Sequence, residues 1–272
     1  MAHFELRHLS QADLKLHVWR YLTFPKYVSM MIYSALWFPK LKTLLSMDAD
    51  EGAMPVVAAK EMTEQFLQWD IIKNNPGFTE QITNSSSRNV EDGRELTLAN
   101  CWFCSEEESP AMWRDYAGIP EGVSVVSTID LLSQYVYCDP RVSLLGRVQY
   151  VDLNSHVMSH YEANQAGERA FLKGNSFAAE REIRMTTMSF RGPMCVNLDG
   201  TDMRSDQYSG LGMNNFDSPG LYIKADLRKL ITRTVLAPGS PVFLEHLVRR
   251  IGHLAGVVSP VERSSLETGV QK

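Results

Sequence analysis

No apolar run in the 272 residues approaches the length of about eighteen needed to cross a bilayer, and Met1 to Leu9 lack the apolar core of a secretion signal. A cytoplasmic protein with no membrane partner is expected. Cysteine is scarce, with four residues in the chain, which excludes a disulfide scaffold and agrees with a reducing compartment. Cys101 and Cys104 form one C-x-x-C, but zinc wants a second close pair or histidines at ligand spacing, and His156 with His160 is the sole i, i+4 pair. Positive charge is also short. A net charge of −5 argues against a phosphate-tracking surface, although a local groove stays open. No Pro/Ser/Gly-rich linker divides the chain, so one domain is expected. No G-x-S-x-G occurs, which removes the nucleophile elbow, and Gly210-Leu211-Gly212 is too short to cradle a phosphate.

What is present is an ordinary globular mixture, 44% hydrophobic with 10% aromatic residues, enough to bury a sizeable core. Ser10 and Asp13 resemble a capping box, and Leu14, Val18, Trp19 and Leu22 follow at roughly helical spacing, so a short helix ended by Pro25 is expected to open the fold. Ile32 to Phe38 suits a strand, and an acidic loop follows from Met47 to Met54. Val57, Met62, Phe66, Trp69 and Ile72 form one stripe over Val56 to Lys73, the mark of an amphipathic helix. Ser109-Pro110 and Gly118 bracket a helix over Pro110 to Ala117, on which Met112, Trp113 and Tyr116 share a face, a stripe used more often for core packing than for stacking on a ligand ring.

Gly122 to Thr128 and Leu145 to Val151 read as strands, and Glu162 to Lys173 as helix. Asn197 to Gly200 is a turn signal, and Thr201 to Ser218 a polar loop. Leu221 to Ala225 and Leu230 to Leu236 read as strands. A last helix begins near Pro241, capped by Ser240, with Val242, Phe243, Leu247, Val248, Ile251 and Leu254 as its buried stripe. Strands and helices alternate without β-α-β regularity. The expected class is α+β, a single mixed or antiparallel sheet with flanking helices.

The densest chemistry lies in Glu180-Arg181-Glu182-Ile183-Arg184. On an extended chain Glu180, Glu182 and Arg184 share one face, with Ile183 and Met185 on the other. Such a cluster is either a solvated ion group or a site in which one carboxylate works on a substrate and the other positions it. Asp48, Asp50 and Glu51 resemble a hard-cation site, but acidic surface loops are commoner.

Several fragments occur in an informative order: Pro25-Lys26-Tyr27, Leu36-Trp37-Phe38, Asp48-Ala49-Asp50-Glu51-Gly52, Cys101-Trp102-Phe103, Met112-Trp113 with Tyr116-Ala117, Gly122-Val123, Lys173, and Phe177 through Arg184. Together, over roughly Pro25 to Arg184, they resemble the bacterial family catalogued as domain of unknown function 2971. Ala49 and Asp50 depart from the usual proline and aromatic of its acidic loop, and Phe177 stands where tryptophan is common.

At the level of fold the order is also similar to ADP-ribosyltransferases, with an early basic-aromatic strand and a late E-x-E strand. That resemblance implies NAD as the substrate, Glu182 as the catalytic carboxylate and Glu180 as the group that positions the acceptor. Arg184 would hold Glu182 ionised, Lys26 would contact the pyrophosphate or adenosine side, and Tyr27, Trp113 or Tyr116 would stack a ring, with Lys173 in the same cofactor-binding set. Partners would be a nucleotide or small molecule and a protein or nucleic-acid acceptor. Val126-Ser127-Thr128 is the nearest match to the S-T-S strand of those enzymes and falls after the helix. Two alternatives stay open: a non-catalytic nucleotide- or protein-binding module, and a glycosyl hydrolase using Glu180 and Glu182 as a carboxylate pair, with Asp48 and Glu51 available as a more distant partner. A toxin or phage-defence context fits such bacterial families. Oligomeric state is not encoded in any pattern here.

Overall fold

The structure, a computed structural model, describes residues 4–68, 89–188, 195–196 and 218–269. It is an α+β domain with a large mixed sheet and flanking helices. Eight strands follow one another in space: Glu5–Arg7, Leu144–Arg147, Glu182–Met188, Thr97–Cys104, His17–Leu22, Val123–Thr128, Arg233–Leu236 and Val261–Arg263. The two edge pairs are parallel and the inner pairs antiparallel. In place of the single sheet expected, two smaller sheets accompany it: antiparallel Cys195–Val196, Gly220–Lys224 and Ala35–Pro39, and parallel Gln149–Val151 with Leu172–Gly174.

Local rules explain where expectation and structure part. His17–Leu22 is a strand, because its near-continuous apolar run is buried on both faces and imitates helical spacing. Pro25 starts a helix instead of ending one: α1, Phe24–Tyr33, takes it in the first turn, where a missing N–H is harmless. That helix runs through the segment read as strand from Ile32, stops at Ser34 (φ 46°), and the strand begins at Ala35. Leu145 to Val151 divides at Val148 between two sheets. Glu162 to Lys173 is two short helices, His160–Asn164 under a Ser159–Glu162 capping box and Ala166–Arg169, and Lys173 lies in a strand. Leu230 ends a helical turn, and that strand begins at Arg233.

The amphipathic helix covers Val56–Leu67, with Ala58 and Met62 buried. Trp69 and Ile72 lie outside the described residues, as do the turn at Asn197 and the loop from Thr201 to position 217. Ser109 accepts a hydrogen bond from the Met112 amide, and Gly118 at φ 77° closes the helical segment Pro110 to Ala117 as expected. On the last helix, Val242–Leu254, the buried face is Leu244, Val248 and Gly252, whereas Val242, Phe243, Leu247 and Leu254 are exposed. Ser240 does not cap it; its hydroxyl donates to the Pro120 carbonyl at 2.7 Å. One face of the main sheet, with Val18, Leu98, Trp102, Val125, Ile183 and Met185, packs on α1 and the last helix to form the larger core.

Candidate functional site

The main sheet parts at its centre. His17–Leu22 pairs with Thr97–Cys104 only at Val18↔Cys104 and Trp19↔Phe103, while each pairs over most of its length with its other neighbour. Past Trp19 the two backbones separate, and a cavity of about 570 Å³ lies between them, lined by Arg20 and Tyr21 from one strand and Cys101 and Trp102 from the other. Trp37, Tyr116, Phe177 and Tyr222 add further aromatic wall.

Into this cavity the strand Glu182–Met188 presents Glu182 and Arg184, with Ile183 and Met185 turned to the core on the other face, as the alternation predicts. Register puts Arg184 opposite Cys101 and Glu182 opposite Phe103. Glu180 departs from the expectation. It belongs to a 3-10 turn, Asn175–Glu180, and Arg181 follows in the left-handed region at φ 42°. A side chain with a Cβ pays roughly 1–2 kcal/mol there. That reversal, and not strand alternation, returns the Glu180 carboxylate to the cavity beside Glu182.

A chain of ion pairs crosses the cavity floor. Arg184 Nη1 lies 2.5 Å from Glu51 Oε1, and its Nε and Nη2 donate to the two oxygens of Glu182 at 2.6 and 3.1 Å. Lys173 Nζ donates to Glu182 at 3.3 Å and to Glu180 at 2.5 Å, and the Tyr116 hydroxyl completes the row on the other Glu180 oxygen at 2.5 Å. Glu51, Arg184 and Glu182 are each at most 4% exposed. Burial alone would raise the Glu182 carboxyl, but the charges of Arg184 and Lys173 and the hydrogen bonds from Arg184 and the Cys101 thiol outweigh it and hold the group at about 2. Burial would likewise lower Lys173, and the charge of Glu182 with the bond to Glu180 raises it instead. Tyr116 and the Cys101 thiol are pushed up, first by burial and then by neighbouring carboxylates, so both stay protonated at neutral pH. The backbone amide of Glu182 donates to the Tyr150 hydroxyl at 2.8 Å, which fixes the start of the strand.

The eight residues singled out in the sequence divide. Lys26, Tyr116, Lys173, Glu180, Glu182 and Arg184 line one cavity. Tyr27 and Trp113 do not, and the ring-stacking roles expected of them are corrected. Tyr27 is 1% exposed, with its hydroxyl on the Val248 carbonyl of the last helix at 3.3 Å. Trp113 is fully buried, its ring edge-on to Tyr21 at 4.9 Å and its indole N–H donating to Glu108 at 2.9 Å. Of the helix stripe, Trp113 is core, whereas Met112 and Tyr116 pack against it and also reach the cavity.

Three further residues contribute. Glu51, read from the sequence as part of an acidic loop or cation-like cluster, is tied instead to Arg184 across 133 positions, beyond any local pattern. Arg20 sits between two aromatic residues in a strand, a signal visible as a charge inside an apolar run. Tyr222 lies on the three-stranded sheet, its ring tilted at 60° against Trp37 with centroids 4.9 Å apart. Asp48, 6% exposed, also lines the cavity; its Oδ1 accepts from the Asp50 amide, and its Oδ2 has no partner among the described residues. Neither a family model nor a curated protein nor a solved structure gives a significant match to the chain.

Proposed function

We propose that the cavity binds NAD and that the chain breaks the bond between nicotinamide and ribose, passing ADP-ribose to water or to a protein or nucleic-acid acceptor. The supporting observation is Glu182: a carboxylate held ionised at about 2 in the wall of an aromatic-lined cavity. As the C1′–N bond breaks, its electron pair leaves with nicotinamide and positive charge grows on the ribose, where a fixed carboxylate lowers the barrier without reorganising. The nucleophile then adds at C1′ and gives up its proton. Arg184, itself braced by Glu51, locks the Glu182 rotamer. Glu180, at the cavity wall between Tyr116 and Lys173, is placed to orient the acceptor. Trp37, Tyr116 and Tyr222 offer faces for a planar ring, and the unpartnered Asp48 oxygen can take a hydroxyl or amide N–H from the ligand.

The same proposal takes the chain as a relative of the domain of unknown function 2971 family and of ADP-ribosyltransferases, on the order of its segments. The S-T-S feature finds no support in the cavity, since Ser127 is buried with its hydroxyl on the Leu230 carbonyl at 2.7 Å. A carboxylate-pair hydrolase is supported less well. It needs a carboxylic acid to protonate the leaving oxygen, whereas Glu182 is held ionised and both Glu180 oxygens already accept hydrogen bonds from Tyr116 and Lys173. A second reading has one observation in its favour: both Glu182 oxygens are engaged by cations of the protein itself, so the row of ion pairs is an internal tie and the cavity binds a nucleotide without turnover. Incubation with NAD, with and without cell lysate as acceptor, separates the two by chromatography. Nicotinamide release supports the enzyme; NAD that binds and is recovered intact supports the binding module.

A further inference from the structure

Arg20 differs from every other cation of the cavity floor. Glu51, Arg184, Glu182, Lys173 and Glu180 are paired with one another in a row, in which every cation faces a carboxylate. Arg20 has no carboxylate partner among the described residues; its Nη1 and Nη2 make two long bonds, each 3.3 Å, to the carbonyls of Cys101 and Trp37. Most of the donor fork is therefore unused. Its guanidinium stands 5.9 Å from the centre of the Trp102 ring, in the gap where the two strands part. Burial with no facing carboxylate lowers it to about 10.

Arg169 supplies the contrast. It too has no carboxylate partner among the described residues, but it is 1% exposed, lines no part of this cavity, and is enclosed by the carbonyls of Gly52, Ala163 and Asn89. That guanidinium is structural. Arg20 is half-buried and faces the cavity, and a second cation without an ion pair among the described residues, Lys26, stands exposed at the rim.

We propose that Arg20 is the anion anchor of this cavity, taking the phosphate or pyrophosphate of a nucleotide through a charge-assisted, forked contact, with Lys26 as the outer cation. A guanidinium fork matches phosphate geometry, and its weak hydration makes the exchange of water for phosphate favourable. The proposal rests on the nucleotide reading of the cavity but not on bond cleavage.

Trp19, Trp37 and Trp102 line the cavity, so intrinsic fluorescence reports occupancy. The protein is titrated with ADP, adenosine and inorganic pyrophosphate at two salt concentrations. ADP is expected to bind at least about tenfold more tightly than adenosine, with the difference shrinking at high salt. Arg20→Gln is expected to remove that difference while leaving adenosine within about twofold, and Arg20→Lys to keep part of it. Binding of pyrophosphate alone, also lost in Arg20→Gln, shows that the anion and not the base is recognised. Equal affinity of the parent for ADP and adenosine, or no binding of ADP, overturns the anchor whatever the variants do. Arg20-dependent ADP binding without any nicotinamide release from NAD upholds the anchor while the cleavage reading fails. Nicotinamide release by a parent that does not distinguish ADP from adenosine does the reverse.

Discussion

Arg184 reaches back two residues along its own strand to hold both oxygens of Glu182, and its other edge grips Glu51 from a loop 133 positions earlier. One guanidinium thus serves two buried carboxylates, and the acidic loop is tied to the centre of the sheet. Replacing it should cost far more than a surface ion pair. Arg184→Met is expected to destabilise the protein by about 3–5 kcal/mol, because two buried charges lose their partner. Urea unfolding measures it; a loss under about 1 kcal/mol would mean the loop is held by other contacts.

Acid sensitivity follows from the same row. Glu182 titrates at about 2 in the folded chain against an ordinary value of 4.5. Between those values the unfolded chain binds the extra proton, so stability falls as pH falls. The contribution is fully present above about pH 5 and fades through 4.5 toward 2, and at about 1.4 kcal/mol per unit it amounts to about 3 kcal/mol. Stability measured by urea across that window should slope downward for the parent and flatten for Glu182→Gln. Parallel curves would assign the acid sensitivity to other carboxylates.

Two tryptophans separate packing from binding. Trp113→Ala removes a fully buried indole and is expected to cost about 3–5 kcal/mol in unfolding free energy, with little change in nucleotide affinity of whatever remains folded. Trp37, in the cavity wall, should behave in the opposite way, losing affinity with a smaller shift in melting temperature. Similar effects of both on melting, with none on binding, would remove Trp37 from the ligand site.

The sequence displayed local rules more clearly than distant partners. The Ser109 cap, the Gly118 stop and the alternation of Glu182, Ile183, Arg184 and Met185 depend on residues a few positions apart, and each appears in the structure. His17–Leu22 misled because a strand buried on both faces has no alternation to show. Trp113 left two uses open, core and ligand shelf, because a helix stripe looks alike whether it packs on a sheet or faces a ligand, and the core use holds. Glu180 reached the expected place for an unexpected reason, the left-handed residue at Arg181. The tie of Glu51 to Arg184 and the opening of Arg20 to the cavity do not show in the sequence, because both are products of tertiary pairing.

The central claim is that ionised Glu182 works on a ligand in the cavity. Its ties to Arg184 and Lys173 mean that Glu182→Gln also lowers stability, so the comparison belongs at a temperature where near-ultraviolet circular dichroism shows the variant native. The direct measurement is the rate of nicotinamide release from saturating NAD by parent and variant under that condition. Release by the parent is expected, with a fall of about a hundredfold or more in Glu182→Gln. Equal rates in two folded proteins, or no release by the parent with any acceptor, would contradict the claim.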